Sequence, residues 1–237
     1  MTWNLQNFPA SGDATVELVA QAAAGLDVDI IALQEIVSDA AFGNVLAALD
    51  GWAGYRATGA PYDQNLAFLY RTDGRLDNVN FIEIYEHDSR EFPRSPLVLS
   101  ATWNGQPVVI INNHLKASGD GILDASNPYD EETRRRDACL MLADYISGTW
   151  AGTPVITVGD WNDELTDAEA NNVFANFLDA PATWRFVDLP LAQDPSALKS
   201  YPKYSSHIDH ILVTPELFAA CSAPEALTEV VPIENGV

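Results

Sequence analysis

The stretch that decides the fold of this 237-residue chain is Pro154-Val155-Ile156-Thr157-Val158-Gly159-Asp160-Trp161-Asn162-Asp163. Its first half is a short apolar run, typical of a strand buried on both faces. Gly159 ends that run, and two carboxylates and an amide follow it directly. Polar side chains delivered to the end of a buried strand are typical of α/β sites. We therefore interpret the turn from Gly159 to Asp163 as the centre of the functional site.

Outward from this turn, strands and helices alternate along the chain. Apolar runs predict strands at Met1–Phe8, Asp29–Leu33, Leu66–Tyr70, Asn80–Tyr85, Pro154–Val158 and Ile208–Val213. Helical spacing predicts helices at Thr15–Ala24 (capped by Ser11 or Asp13), Phe42–Leu49, Glu131–Ile146 and Asn171–Leu178. Asn104-Gly105 predicts a hairpin between Leu97–Trp103 and Pro107–Asn112. The pattern indicates one layered α/β domain over residues 1–237, with mixed sheets.

The charge balance limits the classes of partner. The chain carries 34 acidic and 12 basic residues, a net charge of −22. A tight, non-specific binder of duplex DNA needs a basic face, and the only dense basic run is Arg134-Arg135-Arg136. Catalysis on phosphate stays open, because bound cations can reverse the local field. The sequence has no apolar run long enough for a membrane span and no visible signal peptide.

Polar residues recur where predicted strands end. They are Asn4, Glu35, His114, Asp160, Asn162 and Asp209. Burying such groups without partners costs several kcal/mol, on the order of 2–7 each, so they must pair with one another, water or a metal. Oxygen donors dominate the set, which favours Mg²⁺ (or Mn²⁺ or Ca²⁺) over zinc. A hard cation with a histidine nearby suits cleavage of a phosphoester.

Each of these residues also has a purely structural interpretation. A single Asp or Asn after a strand is commonly a turn former or a helix cap, and Asp163 could cap the segment that follows it. The whole set could belong to a structural α/β domain in which the acids are incidental. Their joint occurrence at successive strand ends favours a site.

The motifs in this order resemble the endonuclease/exonuclease/phosphatase (DNase I-like) superfamily. They are Trp3-Asn4-Leu5-Gln6-Asn7, Leu33-Gln34-Glu35, Asn113-His114-Leu115-Lys116, Gly159–Asp163 and Ile208–Val213. The resemblance implies a four-layer sandwich in the α/β (α+β) class, with two mixed β-sheets packed face to face and helices on the outer faces. It implies a monomeric, metal-dependent phosphoesterase with no obligate protein partner. The substrate would be a nucleic acid or a small or lipid phosphoester. The chain looks most like secreted or periplasmic bacterial members, and a cytoplasmic location stays open.

The resemblance also implies residue roles. Metal ligation falls to Asn4, Glu35 and Asp209, and catalysis to His114, Asp160, Asn162 and Asp209. His114 would contact the scissile phosphate, Asp160 would orient or deprotonate the attacking water, and Asn162 would position phosphate or nucleophile. Asn65 and Arg94 match positions of phosphate-side contacts. His207 is a separate hypothesis, because it shares strand parity with Asp209.

One departure from the family concerns its last motif. Members end with Ser-Asp-His on a final strand, whereas this sequence ends at Glu234-Asn235-Gly236-Val237. His210 cannot substitute, since strand parity points it away from Asp209. We expect a domain that lacks the start of its first strand and its C-terminal strand, with strongly impaired catalysis by this chain alone. The alternative is a catalytically impaired module of the same fold that binds phosphoesters.

Overall fold

The computed structural model describes residues 1–233, so the prediction that rests on Glu234-Asn235-Gly236-Val237 lies outside the described residues. The strands are β1 Thr2–Phe8, β2 Ile30–Ile36, β3 Trp52–Arg56, β4 Asn65–Arg71, β5 Leu76–Glu83, β6 Leu97–Trp103, β7 Gln106–His114, β8 Val155–Asp160, β9 Arg185–Phe186 and β10 Asp209–Val213. The helices are α1 Asp13–Gly25, α2 Asp39–Ala47, α3 Glu131–Thr149, α4 Ala175–Leu178, α5 Leu189–Gln193 and α6 Phe218–Cys221.

The strands form two mixed sheets. One sheet has the order β1-β2-β4-β3, and the other has the order β5-β6-β7-β8-β10-β9. Each contains one parallel pair, β1 with β2 and β7 with β8, among antiparallel neighbours. The hairpin between β6 and β7 turns at Asn104 and Gly105, whose φ values of 48° and 80° suit the predicted tight turn. The prediction of mixed sheets is confirmed.

Three apolar clusters hold the layers together. One lies between the two sheets and includes Phe68 of β4 and Leu99 of β6. A second packs α1 and α2 on the outer face of the four-stranded sheet, around Phe42. The third packs α3 on the outer face of the six-stranded sheet, where Ala138 and Leu142 are fully buried. This order of helix, sheet, sheet and helix confirms the predicted four-layer sandwich.

Two predicted details were wrong. Neither Ser11 nor Asp13 caps α1; Gly12 occupies the N-cap without a side-chain bond. The predicted helix over Asn171–Leu178 is helical only at Ala175–Leu178. The Asn172 amide explains the difference, because it bonds the carbonyls of Leu165 and Asp167 and competes with a helical backbone.

The short elements β9, α5 and α6 were not predicted, because they are too brief to show a period. Strand β3 was not predicted either, since Gly54 interrupts its apolar residues. No helix within residues 1–233 combines the length and the apolar character needed to cross a bilayer.

Candidate active site

The polar strand ends of the two sheets meet at one edge of the sandwich. Asn4 and Glu35 come from β1 and β2, while His114, Asp160 and Asp209 come from β7, β8 and β10. Strand register fixes the second group, since Asp160 pairs with His114 in the parallel ladder and with Asp209 in the antiparallel one. Residues far apart in sequence therefore converge as the motifs indicated.

Asn4 joins the two sheets. Its Nδ2 donates to Glu35 Oε1 at 3.1 Å and to Asp160 Oδ2 at 2.9 Å. Its Oδ1 accepts the backbone N–H of Gln6 at 2.9 Å, which fixes the orientation of the amide. One neutral side chain thus holds two carboxylates at the junction.

Glu35 has an unusual backbone at this position. Its φ is +61°, a left-handed conformation that non-glycine residues seldom adopt. The pairing of β2 with β4 shifts register between Leu33 and Ile36, and that of β1 with β2 shifts between Asn4 and Phe8. Such bulges re-aim side chains beside functional sites. The Asn7 N–H donates to Glu35 Oε2 at 2.9 Å and secures the new direction.

His114 lies against both carboxylates. Its Nε2 is 3.6 Å from Asp160 Oδ2 and 4.0 Å from Glu35 Oε1. Burial, helped by the charge of Arg94, lowers the pKa of His114 well below its usual 6.5. Its Nδ1 is buried and has no protein partner among the described residues. A neutral imidazole there can donate one hydrogen bond and accept another.

The two aspartates share an environment that opposes ionisation. Burial, with the nearby Glu35 charge, raises the pKa of Asp160 to about 6 despite its bond from Asn4. Burial, and then the charge of Asp160, raises the pKa of Asp209 well above its usual value. Asp209 Oδ1 is buried without a hydrogen-bond partner in the described chain. Converging acids with unused oxygens form a donor set that a divalent cation fits.

The buried side chain of Trp161 anchors the turn after β8 in the core. This side chain is fully buried, stacks edge-on against Phe174 and Phe186, and donates from Nε1 to the His210 carbonyl at 3.1 Å. Asn162 follows with φ +56°, its N–H on Asp160 Oδ1 at 2.9 Å and its Nδ2 on the Leu115 carbonyl at 3.2 Å. The turn is therefore rigid around Asp160.

The two predicted phosphate-side residues differ in placement. Arg94 donates to the Leu115 carbonyl and to Gln64, and burial lowers its pKa while the charges of Glu35 and Asp160 oppose that shift. Its positive charge helps to lower the pKa of His114. Asn65 is buried, with Oδ1 accepting the Ala60 N–H and Nδ2 donating to the Asp63 carbonyl. The Asn65 amide therefore stabilises the loop that precedes β4.

His207 belongs to a buried cluster that the sequence did not reveal. Asp188 Oδ2 lies 3.2 Å from His207 Nε2 and 2.6 Å from His210 Nδ1. His210 Nε2 is 2.8 Å from the Asp163 carbonyl, which can only accept, so that nitrogen carries a proton. Donor atoms of all three residues lie within 4.8 Å of one another. Parity was right about His210, which points away from Asp209 into this cluster.

Other bracing residues also escaped the sequence analysis. Gln34 Nε2 donates to Asn112 Oδ1 at 2.8 Å, and the Asn112 amide donates to carbonyls of β2 and β4, so a buried polar link crosses between the sheets. Arg135, from the basic run, is buried and pairs with Asp163 at 2.7 Å. That run therefore points partly inward. Asp163 also accepts the Glu164 N–H, so the capping interpretation captured only part of its role.

A cavity of about 940 Å³ opens at this edge. The site residues that line it are Asn4, Glu35, His114, Asp160, Asn162, His207 and Asp209. Neither Asn65 nor Arg94 is among the described residues on its wall. Six strand-end groups thus share one solvent-reachable space with His207, large enough for a small phosphoester.

Comparisons with known proteins agree with this architecture. The profile of the Endonuclease/Exonuclease/phosphatase family matches residues 1–230. No curated protein sequence matches the chain. Similar solved structures include humanised TDP2 of D. rerio (TM-score 0.66, 16% identity, 90% of this chain and 81% of that one). An endonuclease/exonuclease/phosphatase from Bacteroides vulgatus (0.63, 15%, 90% and 85%) and a mannosyl-6-phosphatase from Bacteroides thetaiotaomicron (0.60, 18%, 90% and 84%) are also similar. At these identities the solved structures show a shared fold alone.

Proposed function

The chain belongs to the endonuclease/exonuclease/phosphatase family, and we propose that it is a divalent-metal-dependent phosphoesterase that hydrolyses a phosphodiester or a phosphomonoester with water. One observation carries the proposal. The Asn4 amide bonds both Glu35 and Asp160 across the two sheets, and His114 lies within 4.0 Å of both carboxylates. Acids, an amide and a neutral imidazole at one cavity edge suit phosphoester hydrolysis.

The donor set fits a hard cation. Glu35 and Asp209 would hold Mg²⁺ (or Mn²⁺ or Ca²⁺), since both are carboxylate oxygen donors and Asp209 Oδ1 has no hydrogen-bond partner in the described chain. Asn4 would join them as a ligand by turning its amide oxygen, which accepts the Gln6 N–H in this structure, toward the ion. A bound cation would neutralise phosphate charge and ease the ionisation of water. The raised pKa values of Asp160 and Asp209 support this assignment, because acids that repel one another gain most from a cation.

Three residues would have separate roles in hydrolysis. Asp160 suits accepting a proton from water, because bonds from Asn4 and from the Asn162 N–H hold its carboxylate at the cavity edge. His114 stays neutral and would donate a hydrogen bond to a phosphoryl oxygen as charge develops there. Asn162 would position the phosphate or the water, because its backbone is fixed to Asp160.

Three further residues would act on the substrate side. Arg94 would supply a positive field toward the phosphate, since its pKa already responds to Glu35 and Asp160. His207 lines the cavity and would contact the substrate beyond the phosphate. Asn65 would contribute by shaping the loop that it holds near Asp63.

We propose a small anionic phosphoester as the substrate in preference to long duplex DNA. A chain with a net charge of −22 can neutralise few of the phosphates along a duplex. Among proteins of this fold, one similar structure is TDP2 of D. rerio with a single-strand DNA product, and another is a mannosyl-6-phosphatase. Both ester classes therefore belong in the assay. A monomer without an obligate protein partner, in a secreted or periplasmic setting, is proposed from the family resemblance.

The proposal is tested by Mg²⁺-dependent hydrolysis of bis(p-nitrophenyl) phosphate and p-nitrophenyl phosphate by the full chain. Asp160→Asn should lower kcat/KM by about 10²–10⁴, as loss of a general base does. Asp77→Asn removes one acid from an exposed position on β5 and should leave the rate unchanged.

Equal rates in both variants would refute the role of Asp160. Binding of the diester without Mg²⁺-dependent turnover would instead support a phosphoester-binding module.

A further inference from the structure

A second acidic cluster lies outside the proposed active site, where the loop between β7 and α3 meets the first turn of α3. Asp120, Asp130 and Glu132 each offer a carboxylate oxygen, and these oxygens all lie within 4.8 Å of one another. Two oxygens bound at about 2.3–2.6 Å to one calcium ion can be at most about 5 Å apart. The spacing therefore permits a shared cation.

Glu132 is the buried member of this cluster. This residue is 2% exposed, and its Oε1 accepts the Gly121 N–H at 2.8 Å and pairs with Arg135 Nη2 at 3.1 Å. Its Oε2 is buried and has no hydrogen-bond partner among the described residues. A buried carboxylate oxygen without a partner is costly, because the desolvation is uncompensated.

The loop backbone is shaped around this carboxylate. Gly119 has φ +121°, and a Cβ built there would lie 2.1 Å from Glu132 Oε1. Only glycine lets the chain pass so close, and Gly121 then donates its N–H to the same oxygen. Asp120 lies between these two glycines and is held beside Glu132 by their contacts.

The other two acids also keep an oxygen free. Asp130 Oδ2 accepts the N–H groups of Thr133 and Asp124, and Asp120 Oδ1 accepts that of Ile122. In the described chain, Asp130 Oδ1 and Asp120 Oδ2 make no such bond. Three acids therefore converge. Among the described residues, Arg135 pairs with Glu132 of this cluster, and Arg135 pairs with Asp163 as well.

We propose that Asp120, Asp130 and Glu132 bind a calcium-class divalent cation, distinct from the ion of the active site. All three donors are hard carboxylate oxygens, and loop-borne, partly exposed sites favour Ca²⁺ over the more demanding Mg²⁺. The ion would neutralise the repulsion among the acids and fix the loop from Gly119 to Asp130.

The site would also stiffen the active-site turn. Arg135 donates to the carbonyls of Lys116 and Ser118 at 2.7 Å each and pairs with Asp163 at the end of the turn. An ion that holds Glu132 therefore holds Arg135 and its contacts in place.

The test is Ca²⁺ titration of the full chain, stripped with a chelator, followed by calorimetry and by hydrogen exchange of peptides covering 117–133. Glu35→Gln serves as the background, because it weakens ion binding at the active site and leaves the loop intact. Ca²⁺ should bind this background and slow exchange in the loop. Asp120→Asn should weaken that binding by about tenfold or more and abolish the protection, since Asp120 is exposed and its loss should not unfold the chain.

Asp124→Asn is the matched control, because it removes from the same exposed loop one acid whose side chain bonds Ser126, and it keeps the backbone N–H that donates to Asp130. It should bind Ca²⁺ as the background does. Glu132→Gln keeps the bond from Gly121 and provides a second variant with the outcome expected of Asp120→Asn. The proposal is overturned if Ca²⁺ leaves loop exchange unchanged, or if Asp120→Asn and Asp124→Asn bind Ca²⁺ equally well.

Discussion

At the scale of the residue, partners decide what burial does to an acid. Asp160 and Asp188 are both buried. Burial and the charge of Glu35 raise the pKa of Asp160 to about 6. Burial also opposes ionisation of Asp188, but hydrogen bonds from His207 and His210 outweigh it and lower its pKa to about 2. Burial thus raises the pKa of one carboxylate, whereas hydrogen bonds keep the other an anion down to low pH.

The Asp188 cluster predicts an acid-sensitive component of stability. The pKa of Asp188 falls from 3.8 to about 2 on folding. Its ionised carboxylate therefore adds to the free energy of unfolding above pH 4, and this contribution is lost as pH falls toward 2. The contribution is on the order of 2 kcal/mol. In urea unfolding across pH 2–7, Asp188→Asn should be less stable at neutral pH and should show a flatter loss of stability below about pH 4. An acid limb identical to that of the wild type would contradict this assignment.

At the scale of the element, strand register assembles the site more than any single loop does. The ladder between β7 and β8 pairs His114 with Asp160 and brings Asn113 opposite Gly159. Gly159 has φ +145°, and a Cβ there would lie 1.9 Å from the Asn113 carbonyl oxygen. The close approach of the two backbones sets the position of Asp160, so this glycine is a requirement of the site's geometry.

Gly159→Ala should therefore disrupt both the ladder and catalysis. We expect a loss of at least about 2 kcal/mol, because backbone must move to admit the methyl group. Thermal unfolding followed by circular dichroism measures the change. Gly148→Ala, in α3 with nothing near its added methyl, is the control and should be neutral or stabilising by up to about 1 kcal/mol. Equal melting temperatures for the two variants would show that the approach at Gly159 is unimportant.

At the scale of the whole molecule, most of the long strands and helices were predictable because apolar periodicity marks them, and the four-layer arrangement followed from the resemblance to the family. The order of the motifs also predicted that Asn4 and Asp160, 156 positions apart, would meet. The meeting of Asp188 with His207 and His210 was not predictable. It depends on the pairing of the two-residue strand β9 with β10, which leaves no pattern in the sequence. The local bonds of Asn65 and Asn172 were also hidden, because their backbone partners lie in segments that show no strand or α-helix periodicity.

The net charge makes a prediction at the same scale. At −22 the molecule repels an anionic substrate, and salt screens that repulsion over a Debye length of about 10 Å at 0.1 M. KM for bis(p-nitrophenyl) phosphate should therefore fall as KCl rises from about 10 to 200 mM at saturating Mg²⁺. Proteins that bind DNA through basic faces show the opposite trend. A KM that rises with salt would indicate a local positive field that outweighs the global charge.

The most direct test of the central claim is the Mg²⁺ dependence of bis(p-nitrophenyl) phosphate hydrolysis by wild type and Glu35→Gln. If the junction of the two sheets is a metal-dependent phosphoesterase site, wild-type turnover, whatever its absolute rate, saturates with Mg²⁺ and disappears in EDTA. Glu35→Gln should then lose about 10²-fold or more in kcat/KM and require more Mg²⁺. Turnover that persists in EDTA, or a Mg²⁺ dependence unchanged by Glu35→Gln, would contradict the account.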